Sequence, residues 1–200
     1  MMHEIKLITK GLQKTSIWSG GKTTEIAIYP PESQYSQRDF LWRLSSASVE
    51  AEESTFTKLP GYDRHLMILE GELKIVHKDQ HTALLKKYDK DFFKGEWDTV
   101  SFGKAKDFNL MVRKGAKGNL QQVDMQEAQH MTIELTARES RKCFFGCYCN
   151  SGSVKLDIGG EEAVIREGEL LLIRYDDNLK VRVEDQLQKM CSLVFAYIEV

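Results

Sequence analysis

The sequence predicts an all-β protein that contains two barrels of jelly-roll type and little helix. Apolar residues occur in short runs or alternate with polar residues, and Gly, Asp, Asn or Lys residues bound these runs. Such segments are typical of short β-strands, whereas the periodicity of amphipathic helices is scarce. A turn followed by an alternating strand also occurs twice along the chain, which favours two copies of one β-sheet unit.

The alternation is clearest in the second half of the chain, in Val154-Lys-Leu-Asp-Ile158 and Val181-Arg-Val183. Successive side chains of a strand point to opposite faces, so both segments predict strands with one buried face. Further predicted strands cover residues 24–29, 66–69, 73–76, 110–112, 169–173 and 192–200.

The repeated segments define the predicted domain organisation. Glu70-Gly-Glu-Leu-Lys-Ile75 resembles Ser151-Gly-Ser-Val-Lys-Leu156, and further apolar strands follow each copy. A polar, glutamine-rich stretch over residues 116–129 separates the two copies, as a connector does. We therefore expect one half over residues 1–115, a connector over residues 116–129 and a second half over residues 130–200.

The turns at Glu70-Gly-Glu72 and Glu167-Gly-Glu169 are cupin-like, so the predicted fold is a bicupin, with two cupin barrels in one chain. Metal-dependent cupins carry a His-x-His pair on the strand before the first such turn. The equivalent residues 52–58 include no histidine, and His77 and His81 fall on a polar turn. We therefore expect no stoichiometric transition metal and no cofactor.

Composition and charge restrict the classes of partner. The chain has 200 residues, 42% of them hydrophobic, which is enough to bury a core. Its net charge of −2, with both signs interspersed, argues against a nucleic-acid or membrane-surface partner. The sequence after Met1 lacks a signal-peptide pattern, and no apolar run approaches the length of a membrane span, so a cytoplasmic location is expected. A homodimer is one assembly that the composition allows.

Three of the four cysteines are clustered, at Cys143, Cys147 and Cys149. A zinc site would need a fourth ligand, for which Cys191 or His130 would serve, but the spacing lacks the paired Cys-x-x-Cys arrangement of structural zinc sites. Reduced thiols packed in the core are the favoured interpretation, because free cysteine is a common small core residue.

Two arginines on strand-like segments indicate a binding pocket. Arg43 follows Phe-Leu-Trp and precedes several serines, and Arg64 follows a Pro-Gly turn and a tyrosine. A guanidinium offers a planar fork of donors to a carboxylate, and neighbouring rings cover the apolar part of a ligand. The alternative is that these arginines and Arg113 form structural salt bridges with nearby carboxylates.

Asn109 supports the pocket, because an amide inside an apolar strand must be hydrogen-bonded to backbone or ligand when it is buried. No histidine lies in a motif that would activate a serine, so no catalytic residue is predicted. The predicted ligand-binding residues are Trp18, Glu25, Arg43, Ser45, Phe56, Asp63, Arg64, Asp107, Asn109 and Arg113.

The first 115 residues contain four distinctive segments: Trp18-Ser-Gly-Gly-Lys-Thr-Thr-Glu-Ile26, Phe40-Leu-Trp-Arg43, Leu59-Pro-Gly-Tyr-Asp-Arg64 and Asp107-Phe-Asn-Leu-Met-Val-Arg113. These segments resemble the HutD/Ves family of bacterial proteins. The resemblance implies a bicupin fold without an established enzymatic activity, linked to histidine utilisation or to cold and stress response. Family members usually carry arginine where Thr24 stands, which implies that one cationic donor is missing from this pocket.

The expected function is non-catalytic binding of a small carboxylated metabolite, in regulation or buffering of a pathway such as histidine degradation. The two strand arginines would hold the carboxylate, and Asn109 with Ser45 or Glu25 would fix the polar remainder. One alternative is a metal-independent isomerase or hydrolase that uses Glu25, Asp63 or Asp107 as general base. Another is a stress-related interaction protein.

Overall fold

The structure, a computed structural model, describes residues 3–125, 130–185 and 190–200. Within these ranges the chain forms nineteen strands and two short 3₁₀ helices, Lys10–Leu12 and Tyr35–Gln37, which confirms the all-β prediction. No helix of the described residues is long and apolar enough to cross a membrane. The strands are β1 (His3–Ile8), β2 (Lys14–Trp18), β3 (Gly21–Tyr29), β4 (Trp42–Val49), β5 (Glu53–Thr55), β6 (Tyr62–Gly71), β7 (Leu73–His77), β8 (His81–Leu85), β9 (Lys90–Lys94), β10 (Thr99–Phe102), β11 (Ala105–Arg113), β12 (Lys117–Asp124), β13 (His130–Leu135), β14 (Cys143–Ser151), β15 (Ser153–Ile158), β16 (Glu161–Arg166), β17 (Leu170–Tyr175), β18 (Leu179–Asp185) and β19 (Ser192–Glu199).

The chain divides into two units, each built from two sheets. The N-terminal unit, Gln13–Gly118, has a six-stranded sheet in the order β2-β3-β4-β11-β6-β9 and a four-stranded sheet in the order β5-β10-β7-β8. The C-terminal unit, Met1–Leu12 with Asn119–Val200, has a five-stranded sheet in the order β1-β17-β14-β19-β12 and a four-stranded sheet in the order β13-β18-β15-β16. Two sheets per unit is the arrangement of a jelly roll.

These units differ from the predicted boundaries in two places. Strand β1 belongs to the C-terminal unit, because it pairs antiparallel with β17 from His3 opposite Tyr175 to Ile8 opposite Leu170. Strand β12 lies within the predicted connector and neighbours β19 in the same sheet. Both strands depend on partners far along the chain, which local pattern does not specify. Residues 126–129 of the predicted connector lie outside the described residues.

The clustered cysteines lie in the core of the C-terminal unit. All four cysteines are reduced and buried, and they pack in one apolar cluster with Phe145 and other side chains. Burial raises the pKa of the Cys149 thiol to about 12, so this side chain stays protonated. No cysteine belongs to a group of three metal-type ligands among the described residues. The contacts agree with core thiols and give no support to a cysteine zinc site.

Among the described residues, the core of the N-terminal unit includes two apolar clusters. The larger one combines Leu66, Ile68 and Phe93 of the six-stranded sheet with Leu73 and Ile75 of the four-stranded sheet, so it joins the two sheets. The smaller one contains Phe40, Leu59, Tyr62 and Met111. The polar cavity described below lies in this same unit.

Gly71 and Gly61 offer a test of the cupin-like turn at the end of β6. Both glycines have φ of 81°, where an L side chain costs about 1–2 kcal/mol, but a Cβ at Gly71 would overlap the Lys104 carbonyl oxygen, whereas a Cβ at Gly61 meets nothing within 4 Å. We expect Gly71→Ala to lower the free energy of unfolding by about 2 kcal/mol more than Gly61→Ala, measured by urea denaturation. Equal losses would show that no steric contact restricts Gly71.

Candidate functional site

A cavity of about 270 Å³ lies in the N-terminal unit, and β4 and β11 supply seven of its sixteen lining residues. These strands are neighbours in the six-stranded sheet, with Ser45 opposite Asn109 and Ala47 opposite Asp107. Alternate side chains of each strand point to the same face, so polar residues at every second position converge on one space. The cavity-facing residues of the two strands are Arg43, Ser45, Ala47, Val49, Asp107, Asn109 and Met111.

Arg43 is a buried cation whose charge is matched within the protein. Its Nε donates to Glu25 Oε2 at 2.7 Å, and a terminal nitrogen donates to Ser45 Oγ at 3.1 Å. The Tyr35 ring covers the guanidinium at 4.4 Å. Glu25 therefore holds Arg43 from the side and does not itself line the cavity. The alternative raised from the sequence, a structural salt bridge with a nearby carboxylate, therefore applies to Arg43.

Arg64 is buried in a different way. No carboxylate lies within 4.0 Å of its guanidinium in the part of the chain that the structure describes, and its buried Nε has no hydrogen-bond partner. The rings of Phe56 and Phe93 lie 4.9 and 5.0 Å from the guanidinium carbon. Burial lowers the pKa of Arg64 to about 10, while the charges of Tyr35 and Asp107 oppose that shift. Arg64 is thus still cationic at neutral pH.

Asp107 and Asn109 place two further unsatisfied atoms at the same cavity. Both residues are only 4% exposed, and the Oδ1 atom of each lacks a hydrogen-bond partner. Burial raises the pKa of Asp107 to about 7, although the charge of Arg64 acts in the opposite direction. Most buried polar atoms in proteins have partners, so three such atoms around one cavity indicate a place for polar ligand groups.

The structure places eight of the ten predicted residues in or beside this cavity. Trp18 and Phe56 line it, and the Trp18 indole nitrogen donates to Thr23 Oγ1 at 3.1 Å. Asp63 lies outside, because it precedes Arg64 on β6 and its side chain points to the opposite face. Arg113 also lies outside: it is the exposed last residue of β11, and it donates to the Arg38 carbonyl at 3.3 Å.

The position of Thr24 corrects one expectation from the family resemblance. Its hydroxyl lies 2.9 Å from that of Thr15 at the protein surface, whereas the adjacent Thr23 lines the cavity. Thr24 therefore faces away, and the cavity's charge does not follow from the residue at this position.

Several lining residues were not predicted from the sequence. Ala47, Val49 and Met111 continue the alternation that begins at the predicted polar positions, so the period of two would have identified them. Tyr35 belongs to a short 3₁₀ helix in a polar segment, and no local pattern marks it. The described residues also include a group of three side chains of metal-ligand type, His77, His81 and Asp91, which lies outside this cavity.

The HutD family model matches residues 11–191, so the chain belongs to the HutD family. The resemblance found in the sequence is therefore confirmed. Protein Ves of Cronobacter sakazakii (strain ATCC BAA-894) is 34% identical over 106 residues, which are 50% of this chain and 55% of Ves. The match thus spans about half the length of that relative.

Solved structures with the same fold cover almost the whole chain. PA5104 of Pseudomonas aeruginosa PAO1, a conserved protein of unknown function, has a TM-score of 0.81 at 19% identity and 98% coverage of both chains. HutD of Pseudomonas fluorescens SBW25 has a TM-score of 0.72 at 20% identity, covering 96% of this chain and 98% of that one. Oxalate decarboxylase of Lactobacillus farciminis, a cupin, has a TM-score of 0.67 at 7% identity, covering 96% and 85%. The predicted bicupin fold is confirmed.

The raised pKa of Asp107 predicts a pH dependence of stability. Between the ordinary pKa of 3.8 and about 7, the folded protein keeps a proton that the unfolded chain has released, so Asp107's contribution to stability falls as pH rises through this window. We expect the unfolding free energy of wild type, relative to Asp107→Asn, to decrease from pH 4 to pH 7 by at most about 1.4 kcal/mol per pH unit. Urea denaturation at several pH values measures this difference.

The matched control is Asp63→Asn, which changes an aspartate outside the cavity of the same unit. Its difference from wild type serves as the baseline for the loss of one carboxylate from this unit, and the downward trend for Asp107→Asn should exceed that baseline. A wild-type advantage over Asp107→Asn that stays constant or grows with pH would contradict the raised pKa.

Proposed function

We propose that this member of the HutD family binds a small carboxylated metabolite in the cavity of its N-terminal unit, without transforming it. The observation that carries the proposal is Arg64, a buried cation with an unpaired Nε and no carboxylate in contact among the described residues. A desolvated charge of this kind is unfavourable unless a counter-charge joins it. A ligand carboxylate supplies both the charge and the hydrogen-bond acceptors.

The surroundings of Arg64 suit a carboxylate in particular. Phe56 and Phe93 lie against the guanidinium, and such contacts restrict the plane in which its donors point. A planar carboxylate accepts two parallel hydrogen bonds from such a fork, in an environment where charge-assisted bonds are strong. Arg43 is less available, because Glu25 already pairs with it at 2.7 Å. In this proposal Arg64 binds the ligand carboxylate directly. Arg43 lines the cavity and is held in position by Glu25.

The other polar atoms specify the rest of the ligand. Asn109 Oδ1 is an acceptor without a partner, so a ligand that fits the cavity donates an N–H or O–H hydrogen bond to it. Asp107, with a pKa of about 7, donates to the ligand when protonated and accepts from it when ionised. The ligand best suited to this set has one carboxylate for Arg64 and a nearby amide, amine or hydroxyl donor.

Family membership supports the biological role within this proposal. The resemblance of the chain to proteins linked to histidine utilisation favours an intermediate of histidine degradation, such as formylglutamate, as the ligand. Binding without turnover would then regulate or buffer that pathway in the cytoplasm. A cavity of about 270 Å³ is of the size that a small metabolite occupies.

Substitution of Arg64 tests the proposal. Calorimetric titration of wild type with formylglutamate, glutamate and urocanate should show saturable binding of at least one of them. Arg64→Ala should weaken this binding more than tenfold, because removal of one partner of a desolvated charged hydrogen bond costs roughly 2–5 kcal/mol. Arg43→Ala should also weaken binding, since it leaves Glu25 beside the cavity without its partner.

Arg113→Ala is the matched control, because Arg113 lies on the strand that carries Asp107 and Asn109 but outside the cavity. It should bind as wild type does. Equal affinity of wild type and a folded Arg64→Ala protein would assign Arg64 a structural role. Failure of wild type to bind any of the three would refute the assignment to histidine intermediates.

An enzyme is the second candidate, and the raised pKa of Asp107 favours it. A general base is most effective when its pKa lies near the working pH, and the pKa of Asp107 is raised to about 7. Incubation of the protein with each metabolite, followed by proton NMR, distinguishes the candidates. Product formation that is lost in Asp107→Asn would support the enzyme, whereas saturable binding with unchanged substrate spectra supports the binding protein.

A further inference from the structure

A second group of polar side chains lies outside the cavity, at the turn between β7 and β8. His77 and His81 are cross-strand partners on either side of this turn, and Asp91 lies on β9. His77 Nε2 is 2.8 Å from Asp91 Oδ2, and His81 Nε2 is 3.0 Å from Asp91 Oδ1. The ligand-type atoms of all three residues lie within 4.8 Å of one another.

The surrounding residues hold His77 in one orientation. Its ring is buried and packs against Phe93 and Trp97, with centroids 4.5 and 5.4 Å away. Its Nδ1 lies 2.8 Å from Thr99 Oγ1. Histidine ligands of metals are usually fixed in this way, with the second ring nitrogen hydrogen-bonded to a neighbouring oxygen. When Nδ1–H donates to Thr99, the Nε2 lone pair faces the centre of the group.

We propose that His77, His81 and Asp91 bind one divalent transition metal ion, such as zinc. Two imidazoles and one carboxylate form a ligand set that suits zinc, whereas Mg²⁺ and Ca²⁺ prefer oxygen ligands alone. Zinc bonds of roughly 2.0–2.1 Å place neighbouring ligand atoms roughly 3.3 Å apart. The contacts of 2.8 and 3.0 Å therefore need to open by only a few tenths of an ångström.

The access and the position of the group agree with a metal site. The His81 side chain is 39% exposed, so an ion reaches the group from solvent. With three protein ligands, the fourth coordination position of the ion is available to a water molecule. Strands β7 and β8 belong to the four-stranded sheet, and β9 is the edge strand of the six-stranded sheet. A bound ion therefore links the two sheets of the N-terminal unit and stabilises the folded state. The proposal departs from the expectation of no stoichiometric transition metal, which rested on the lack of histidine in residues 52–58 and on the placement of His77 and His81 in a polar turn.

The test uses the full chain without a histidine tag, treated with EDTA and dialysed. Titration with zinc chloride in a calorimeter should give one ion per chain, and zinc should raise the temperature of thermal unfolding. Co²⁺ should give the visible absorption bands of a four-coordinate ion. Thr99→Val should weaken zinc binding by about 10–100-fold, because it removes the partner of His77 Nδ1.

Substitutions of the ligands identify the site. His81→Ala and Asp91→Asn, each shown to be folded by circular dichroism, should abolish stoichiometric zinc binding. His130→Ala, which removes an exposed histidine from the C-terminal unit, should leave it unchanged. The proposal is overturned if wild type binds no zinc, or if both ligand variants bind it as wild type does. Zinc that is lost in Cys149→Ser but retained in His81→Ala would assign the ion to the cysteines instead.

Discussion

The burial of Arg64 beside Asp107, without a direct ion pair between them, is the constraint on which the N-terminal unit depends. Both side chains are withdrawn from water, and transfer of a charge to such a place is costly unless it is paired. The pKa values reflect this, because burial lowers that of Arg64 to about 10 and raises that of Asp107 to about 7. The unit retains an arrangement that an apolar core would avoid, and the proposed binding of an anion would give it a physical reason.

The two arginines of the cavity perform different tasks despite similar burial. Arg43 has its counter-charge, Glu25, at 2.7 Å and a hydroxyl at 3.1 Å, so its charge is matched inside the protein and two of its hydrogen bonds are made there. Arg64 contacts two aromatic rings instead and keeps a donor without a partner. The charge of Arg43 is neutralised by Glu25, whereas that of Arg64 has no carboxylate in contact among the described residues. The proposed preference for a single carboxylate rests on this difference more directly than on the number of arginines.

The sequence predicted the features that depend on local pattern. Alternation gave the all-β class, and Asn109 was identified because an amide interrupts an apolar strand. The features that sequence reasoning missed depend on contacts between distant segments. Asp63 was included because it adjoins Arg64, yet adjacent residues of a strand face opposite sides. Tyr35 reaches the cavity from a 3₁₀ helix, and Asp91 joins the histidine pair from another sheet, so neither could be placed before the strand order was known.

The most direct test of the account is the NMR signal of the Arg64 Nε–H group during titration with carboxylates. This atom is buried without a protein partner, so a bound carboxylate should become its acceptor. We expect the Arg64 Nε–H cross-peak, assigned with Arg64→Lys, to shift in a saturable manner with the binding isotherm while that of Arg113 stays in place. A carboxylate that binds the protein and leaves the Arg64 cross-peak unmoved would contradict the account.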